Sequence, residues 1–220
     1  MTIRQLFTHT SGQASGPDPE LGKLQRARAI ALTEEEGGSP STLEASVKRL
    51  AAMPLSAHPG TKWQYASGHT ILGRCVEVWS GMNFAEYLEA NILGPLQMTD
   101  TKFTVTESNR DRFTKNYSHG AMPLEEGFLG DYFEDSRIPE PSGGLTGTMR
   151  DYFKFCQCLL SNMKGQSFDG GNGAVRLLGR KTVEFMGSNR ALLPVLVFSD
   201  LCLRKSSCLS CLSVALSLCL

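Results

Sequence analysis

Apolar residues recur at three- and four-residue spacing through most of the chain, and capping or breaking residues bound each such stretch, so the pattern predicts helices. Residues Met1 to Gly12 read as a short helical turn ended by the glycine. Leu21, Leu24, Ala27 and Ala31 predict an amphipathic helix over 20–36, broken by Gly37-Gly38-Ser39-Pro40. Ser41 with Glu44 has the spacing of a capping box before the stripe Val47, Leu50, Ala51, Met53, which Pro54 ends. Trp63 to Ser67 reads as a short extended piece entering a helix whose apolar face is Ile71, Leu72, Cys75, Val76 and Trp79, closed by Gly81. Asn83 and Glu86 cap a helix bearing Phe84, Tyr87, Leu88 and Ile92, and Gly94-Pro95-Leu96 closes it. Thr148 and Asp151 cap another with Tyr152, Phe153, Phe155, Cys156, Leu159 and Leu160.

Elsewhere the pattern weakens. Residues 100–141 are polar and broken by glycine and proline, and only Thr101 to Val105 alternate like a strand, which predicts an irregular lid or crossover. Asn162 to Gly173 reads as loop, and a short helix follows near Lys181 to Met186. Residues 191–220 hold ten leucines, six serines and four cysteines, with no cap, turn or period that matches anything before them. The uncharged run Ser206 to Leu220 is fifteen residues long, shorter than the roughly 20 needed to cross a bilayer. Its biased composition is what a read-through or misjoined coding segment would give. The organisation expected is one partial domain over 1–190 and an anomalous tail over 191–220.

Composition narrows the function. Among 220 residues, 41% are apolar and 20% charged, a globular composition, and 22 basic side chains balance 22 acidic ones. A net charge of zero provides no field to gather phosphate backbones, which argues against nucleic acid and for a small-molecule partner. Seven cysteines, an odd number without a disulfide framework, suggest a reducing compartment, here the cytoplasm. His9, His58, His69 and His119 are scattered, so no metal-ligand spacing is evident and no cofactor is expected. Neither a G-x-S-x-G elbow nor a phosphate-binding G-x-x-x-x-G-K-[ST] loop is present.

Four ordered stretches do carry chemistry: Thr2-Ile-Arg-Gln-Leu-Phe-Thr-His-Thr-Ser-Gly12; Pro59-Gly-Thr-Lys-Trp-Gln-Tyr65-Ala-Ser67 running into Ile71-Leu-Gly-Arg74; Tyr87-Leu-Glu-Ala-Asn-Ile-Leu-Gly-Pro-Leu-Gln-Met-Thr-Asp-Thr101; and Ser142-Gly-Gly-Leu-Thr-Gly-Thr-Met-Arg-Asp151. Together they resemble the serine β-lactamase-related family, which includes class C β-lactamases, esterases of the same fold and D-alanyl-D-alanine carboxypeptidases. The resemblance covers residues 2 to about 189, and the Tyr-Ala-Ser wording is closer to the esterase and transesterase branch. It implies an α+β fold of the β-lactamase/transpeptidase type, present here mostly as its α-rich middle with little of the antiparallel sheet.

The resemblance also implies acylation of a serine by an ester or lactam, with a lysine one turn after that serine in S-x-x-K. It maps the family's catalytic tyrosine onto Tyr65, whose phenolate would carry the serine proton to the leaving group. A free phenol ionises near 10, so this role calls for neighbouring ammonium groups. Ser67 takes the position where lactamases have a substrate-binding asparagine, which points away from amide substrates. In the family S-x-x-K precedes the stretch matched by Thr2 to Gly12, so the resemblance implies that the nucleophile falls outside these residues. Ser161-Asn-Met-Lys164 satisfies S-x-x-K by letter only, and Lys181-Thr182-Val183 lacks the glycine of K-T-G. His9 and Ser11 are expected to cap and hydrogen-bond a helix end.

The expected product is therefore a fragment of an esterase-type hydrolase, inactive by itself. Apolar faces around Ile71, Val76, Phe153, Phe155 and Leu159 would lack part of their cover. Each large side chain left in water forfeits roughly 1.5–3 kcal/mol, against a total stability of about 5–15 kcal/mol. Two alternatives stand beside this reading. One is a non-catalytic product that associates with a full-length relative; the other is a tail-anchored membrane protein resting on Ser206 to Leu220.

Overall fold

A computed structural model describes residues 1–13, 19–35, 42–114, 132–133, 138–171 and 173–188. Ser41, His119 and the tail over 191–220 lie outside the described residues. The first helix, α1 (Ile3–Phe7), opens on a capping box. Thr2 Oγ1 accepts from Gln5 N at 3.3 Å, and Gln5 Oε1 accepts from Thr2 N at 2.8 Å.

The predicted second helix is α2 (Pro19–Glu35), but its inward face is not the predicted one. Leu24 is 56% exposed whereas Leu32 is buried. Gln25 Nε2 donates to Pro54 O at 3.1 Å and Thr33 Oγ1 accepts from Arg49 at 3.1 Å. Polar anchors at 25 and 33, one helical face with Leu32, thus set the rotation that the leucine spacing misjudged. The third helix, α3 (Leu43–Ala51), is capped by Thr42, whose hydroxyl accepts from Ala45 N at 3.1 Å, not by the expected Ser41. Glu44 instead pairs with Lys48 at 2.8 Å and Arg74 at 2.6 Å, tying α3 to α4 (Gly68–Ser80).

The buried stripe of α4 is His69, Leu72, Gly73 and Val76. That stripe turns Cys75 and Trp79 toward its flank, and Trp79, expected inside, is 63% exposed. Gly73 is required by a close crossing, because a Cβ there would lie 2.1 Å from Pro141 Cγ. Gly81, at φ +71, ends the helix as predicted.

The expected Asn83/Glu86 capping box starts α5 (Phe84–Leu88), which continues as one π turn over Glu89–Leu93. Phe84, Leu88, Ile92, Leu96, Met98 and Phe155 form the centre of the core. The alternating stretch after Thr101 contributes a single bridge, Lys102 to Thr146, with Thr101 and Phe103 buried, and a 3₁₀ turn follows at Glu107–Arg112.

Thr148 caps α6 (Met149–Met163) by accepting from Asp151 N at 3.3 Å, as predicted. Val76 and Phe155 are buried, while Phe153 and Leu160 stay exposed and Cys156 points outward. The expected 162–173 loop is replaced by the end of α6 and a hairpin, β1 (Phe168–Asp169) antiparallel to β2 (Ala174–Val175), with Phe168 opposite Val175. Buried Asn162 organises it: Oδ1 accepts from Leu177 N at 3.1 Å and Leu178 N at 3.2 Å, and Nδ2 donates to Gln166 O at 3.2 Å. The last helix among the described residues is α7 (Arg180–Met186), packed on α6. Among the described residues no helix is long and apolar enough to cross a membrane.

Candidate active site

The segment after α1 folds back along residues 56–66, and its backbone makes the support for Tyr65. Gly12 O accepts from Ser56 N at 2.8 Å, Thr10 O from Gly60 N at 2.7 Å and His9 O from Gln64 N at 2.8 Å. Gly12 sits at φ +82, and a Cβ there would lie 2.1 Å from Ala57 O, so only glycine permits this approach. Gly68 does the same one element later, where a Cβ would lie 2.8 Å from Leu6 O. α1 and the start of α4, which directly follows the tyrosine segment, are pressed together.

His9 is half-buried with φ +53. Its Nδ1 accepts from Ala66 N at 3.3 Å, which requires a lone pair on that nitrogen and hence a neutral ring protonated at Nε2. Burial also holds the His9 imidazole below its usual pKa. The ring lies 4.7 Å from that of Tyr65, 6.0 Å from Trp63 and 5.0 Å from His69, centroid to centroid. His69 is 3% exposed and its Nε2 has no hydrogen-bond partner among the described residues. Burial foremost, then the neighbouring His9, pushes its pKa down to about 4. Behind His69, Glu140 Oε1 collects Thr70 Oγ1 at 2.5 Å, Ser142 Oγ at 2.8 Å and Ser142 N at 3.1 Å. This fastens the glycine turn after Pro141 to the start of α4.

Tyr65 is 61% exposed, and its hydroxyl makes no hydrogen bond among the described residues. It lines an open cavity of about 570 Å³ together with Ser67, Ser142, Gln25, Met53 and Leu55. The described lining, which also includes Leu50, Pro54 and Ala29, contains no carboxylate, ammonium, guanidinium or imidazole group. Ser67 stands at the N-cap of α4 with its side chain making no cap bond. Both predicted site residues are therefore on one wall. Gln25 Oε1, on α2, is a buried acceptor without a partner among the described residues. A smaller cavity of about 100 Å³ shares none of these residues, and there the Arg112 guanidinium pairs with Asp100 at 2.8 Å.

The two letter-only motifs lie elsewhere. Ser161 falls in the last turn of α6, and Lys164 is the exposed C-cap. Lys181 and Thr182 are exposed on α7. His9 and His69, scattered in sequence, are brought together, but no group of three potential metal ligands forms among the described residues. Sequence reasoning missed Thr70, Glu140 and Gln25 because their partners are distant along the chain. Only the positive φ demanded at His9 had a possible local signal, the glycine three residues after it.

The beta-lactamase family model matches residues 1–186. The chain belongs to the beta-lactamase family. Its similarity to esterase EstB of Burkholderia gladioli is 29% identity over 184 residues, covering 74% of this chain and 45% of that protein. Acyltransferase mokF of Monascus pilosus is 31% identical over 193 residues, covering 84% of this chain and 41% of mokF. Among solved structures, simvastatin synthase LovD from Aspergillus terreus superposes with a TM-score of 0.62 at 25% identity, covering 89% of this chain and 44% of that one. The chain thus spans less than half the length of these relatives. Within the beta-lactamase family its likeness is to serine hydrolases and acyltransferases, and its helix-rich body with one small sheet among the described residues is the α-rich part of that fold.

Proposed function

We propose that this chain supplies the tyrosine wall of an acyl-transfer site acting on neutral, largely apolar esters. In this reading Tyr65 is the proton carrier: its phenolate takes the proton of the attacking alcohol and returns it to the departing alkoxide. Ser67 faces the bound ester. The observation that carries the proposal is the cavity of about 570 Å³ with Tyr65 and Ser67 on one wall and only uncharged side chains in its described lining. Its volume is in the range of small-molecule sites. A carboxylate-bearing lactam would have to leave water for a wall whose described residues offer no cation to receive it.

The functional unit is the family-matched body, with 191–220 outside it, and the chain by itself is inactive. Two absences support that second point. The described lining has no cation to favour a phenolate, and neither Ser161 nor Lys181 lies on it. The test is hydrolysis of p-nitrophenyl butyrate and nitrocefin by the full chain and by Tyr65→Phe. The expectation is no turnover above the Tyr65→Phe control from the chain alone. When a separately produced segment carrying the S-x-x-K helix and K-T-G strand of an esterase relative is added, ester turnover should appear and drop about 100-fold or more with Tyr65→Phe. Turnover that ignores Tyr65 would remove it from the mechanism.

A second reading, association with a full-length relative, is favoured by the outer face of α6, where Met149 is 83% exposed and Phe153, Leu160 and Met163 are also exposed. Co-purification of the chain with such a relative, abolished by Met149→Gln with Phe153→Gln, tests it.

A further inference from the structure

We infer that His9 is the positioning residue for Tyr65, a conclusion that rests on Tyr65 being the proton carrier. One residue holds both neighbours of the tyrosine. Its carbonyl accepts from Gln64 N at 2.8 Å and its Nδ1 from Ala66 N at 3.3 Å, so the chain is gripped immediately before and immediately after position 65. The ring of His9 then lies 4.7 Å from the Tyr65 ring at 32°, giving the phenol a flat surface on one side.

That surface is itself backed. His69 lies 5.0 Å behind His9, and Phe7 meets His69 edge-on at 6.5 Å. The stack runs from Phe7 of α1 through His69 of α4 and His9 to Tyr65, which makes the orientation of Tyr65 a property of the packed body and not of its own exposed loop. The left-handed backbone at His9, φ +53, is costly for most side chains and is adopted more readily by Asn, Asp and His. Two demands therefore converge on position 9: a residue that tolerates positive φ, and a side-chain acceptor to meet Ala66 N–H. An imidazole meets both, and its proton must stay off Nδ1 for the second.

His9 does not line the cavity, so it acts on the reaction only through Tyr65. The role predicts rescue by asparagine, which tolerates the backbone and puts Oδ1 near the place of Nδ1, and failure with leucine, which has neither property. In the full chain, hydrogen exchange at the Ala66 amide and the side-chain couplings of Tyr65, assigned with Tyr65→Phe, are measured by NMR for wild type, His9→Asn and His9→Leu. His9→Leu should speed Ala66 exchange at least tenfold and average the Tyr65 rotamers. His9→Asn should stay within about threefold of wild type with a single rotamer.

Thermal melts identify a variant that has merely unfolded, and His9→Asn keeps the question open to a result in that case. An unchanged Ala66 exchange rate and rotamer in a folded His9→Leu, or no rescue in a folded His9→Asn, would overturn the inference. Both readouts are independent of turnover. Loss of the Tyr65 reading through a null Tyr65→Phe effect on the complemented reaction is thus distinguishable from loss of this one.

Discussion

The two ends of α4 are buried by different means. Toward its C-terminus Val76 joins Phe84, Leu88, Ile92 and Phe155 in an apolar cluster, held by area removed from water and indifferent to direction. Toward its N-terminus the buried groups are His69 and Thr70, held by the shared carboxylate of Glu140, the neutral ring of His9 and the backbone of the segment carrying Tyr65. The first end explains why the helix exists. The second explains where the tyrosine stands, and it depends on protonation states as the first does not.

Three measurements separate these ends, and the largest effect belongs to the apolar one. Phe84→Ala should lower unfolding free energy by about 3–5 kcal/mol, seen as a fall in the urea midpoint with unchanged slope at every pH. A loss under about 1 kcal/mol would mean that the core does not centre on this ring.

The polar end should answer to acid. Burial pushes the His69 pKa from 6.5 down to about 4, so the unfolded chain takes up a proton that the folded chain refuses. Stability is then fully present above pH 6.5 and declines as pH falls toward 4, by about 3 kcal/mol across that window. His9, also lowered by burial, adds in the same direction. Urea unfolding at pH 7 and pH 4.5 checks this, and His69→Gln should flatten most of the dependence. An equal slope with pH in His69→Gln and wild type would assign the acid sensitivity to other groups.

The smallest effect is expected outside both ends. Met149→Gln removes an exposed methionine from α6 and should change stability by no more than about 0.5 kcal/mol in the isolated chain. A destabilisation of 2 kcal/mol or more, on the order of a buried side chain, would show that this face is covered in solution.

How much of this was legible from sequence varied with the range of the interaction responsible. Capping at Asn83/Glu86 and Thr148/Asp151, and the stop at Gly81, were readable because cap and capped amide are two or three residues apart. The face of α2 is not legible locally because its rotation is set by Pro54 and Arg49, 29 and 16 residues from their partners Gln25 and Thr33. The hairpin after α6 was missed because its organiser, Asn162, satisfies amides fifteen and sixteen residues later that no local pattern advertises.

Four ordered motifs, read without coordinates, pointed to the family, and apolar spacing with local caps to most of the helical elements, since each is a matter of residue type and local spacing. Only the tertiary structure decided that His9 holds Tyr65, that His69 is buried and neutral, and that the described cavity wall beside them carries no charge. Those properties come from desolvation and from hydrogen bonds between residues some sixty positions apart, and both exist only once the chain has closed on itself.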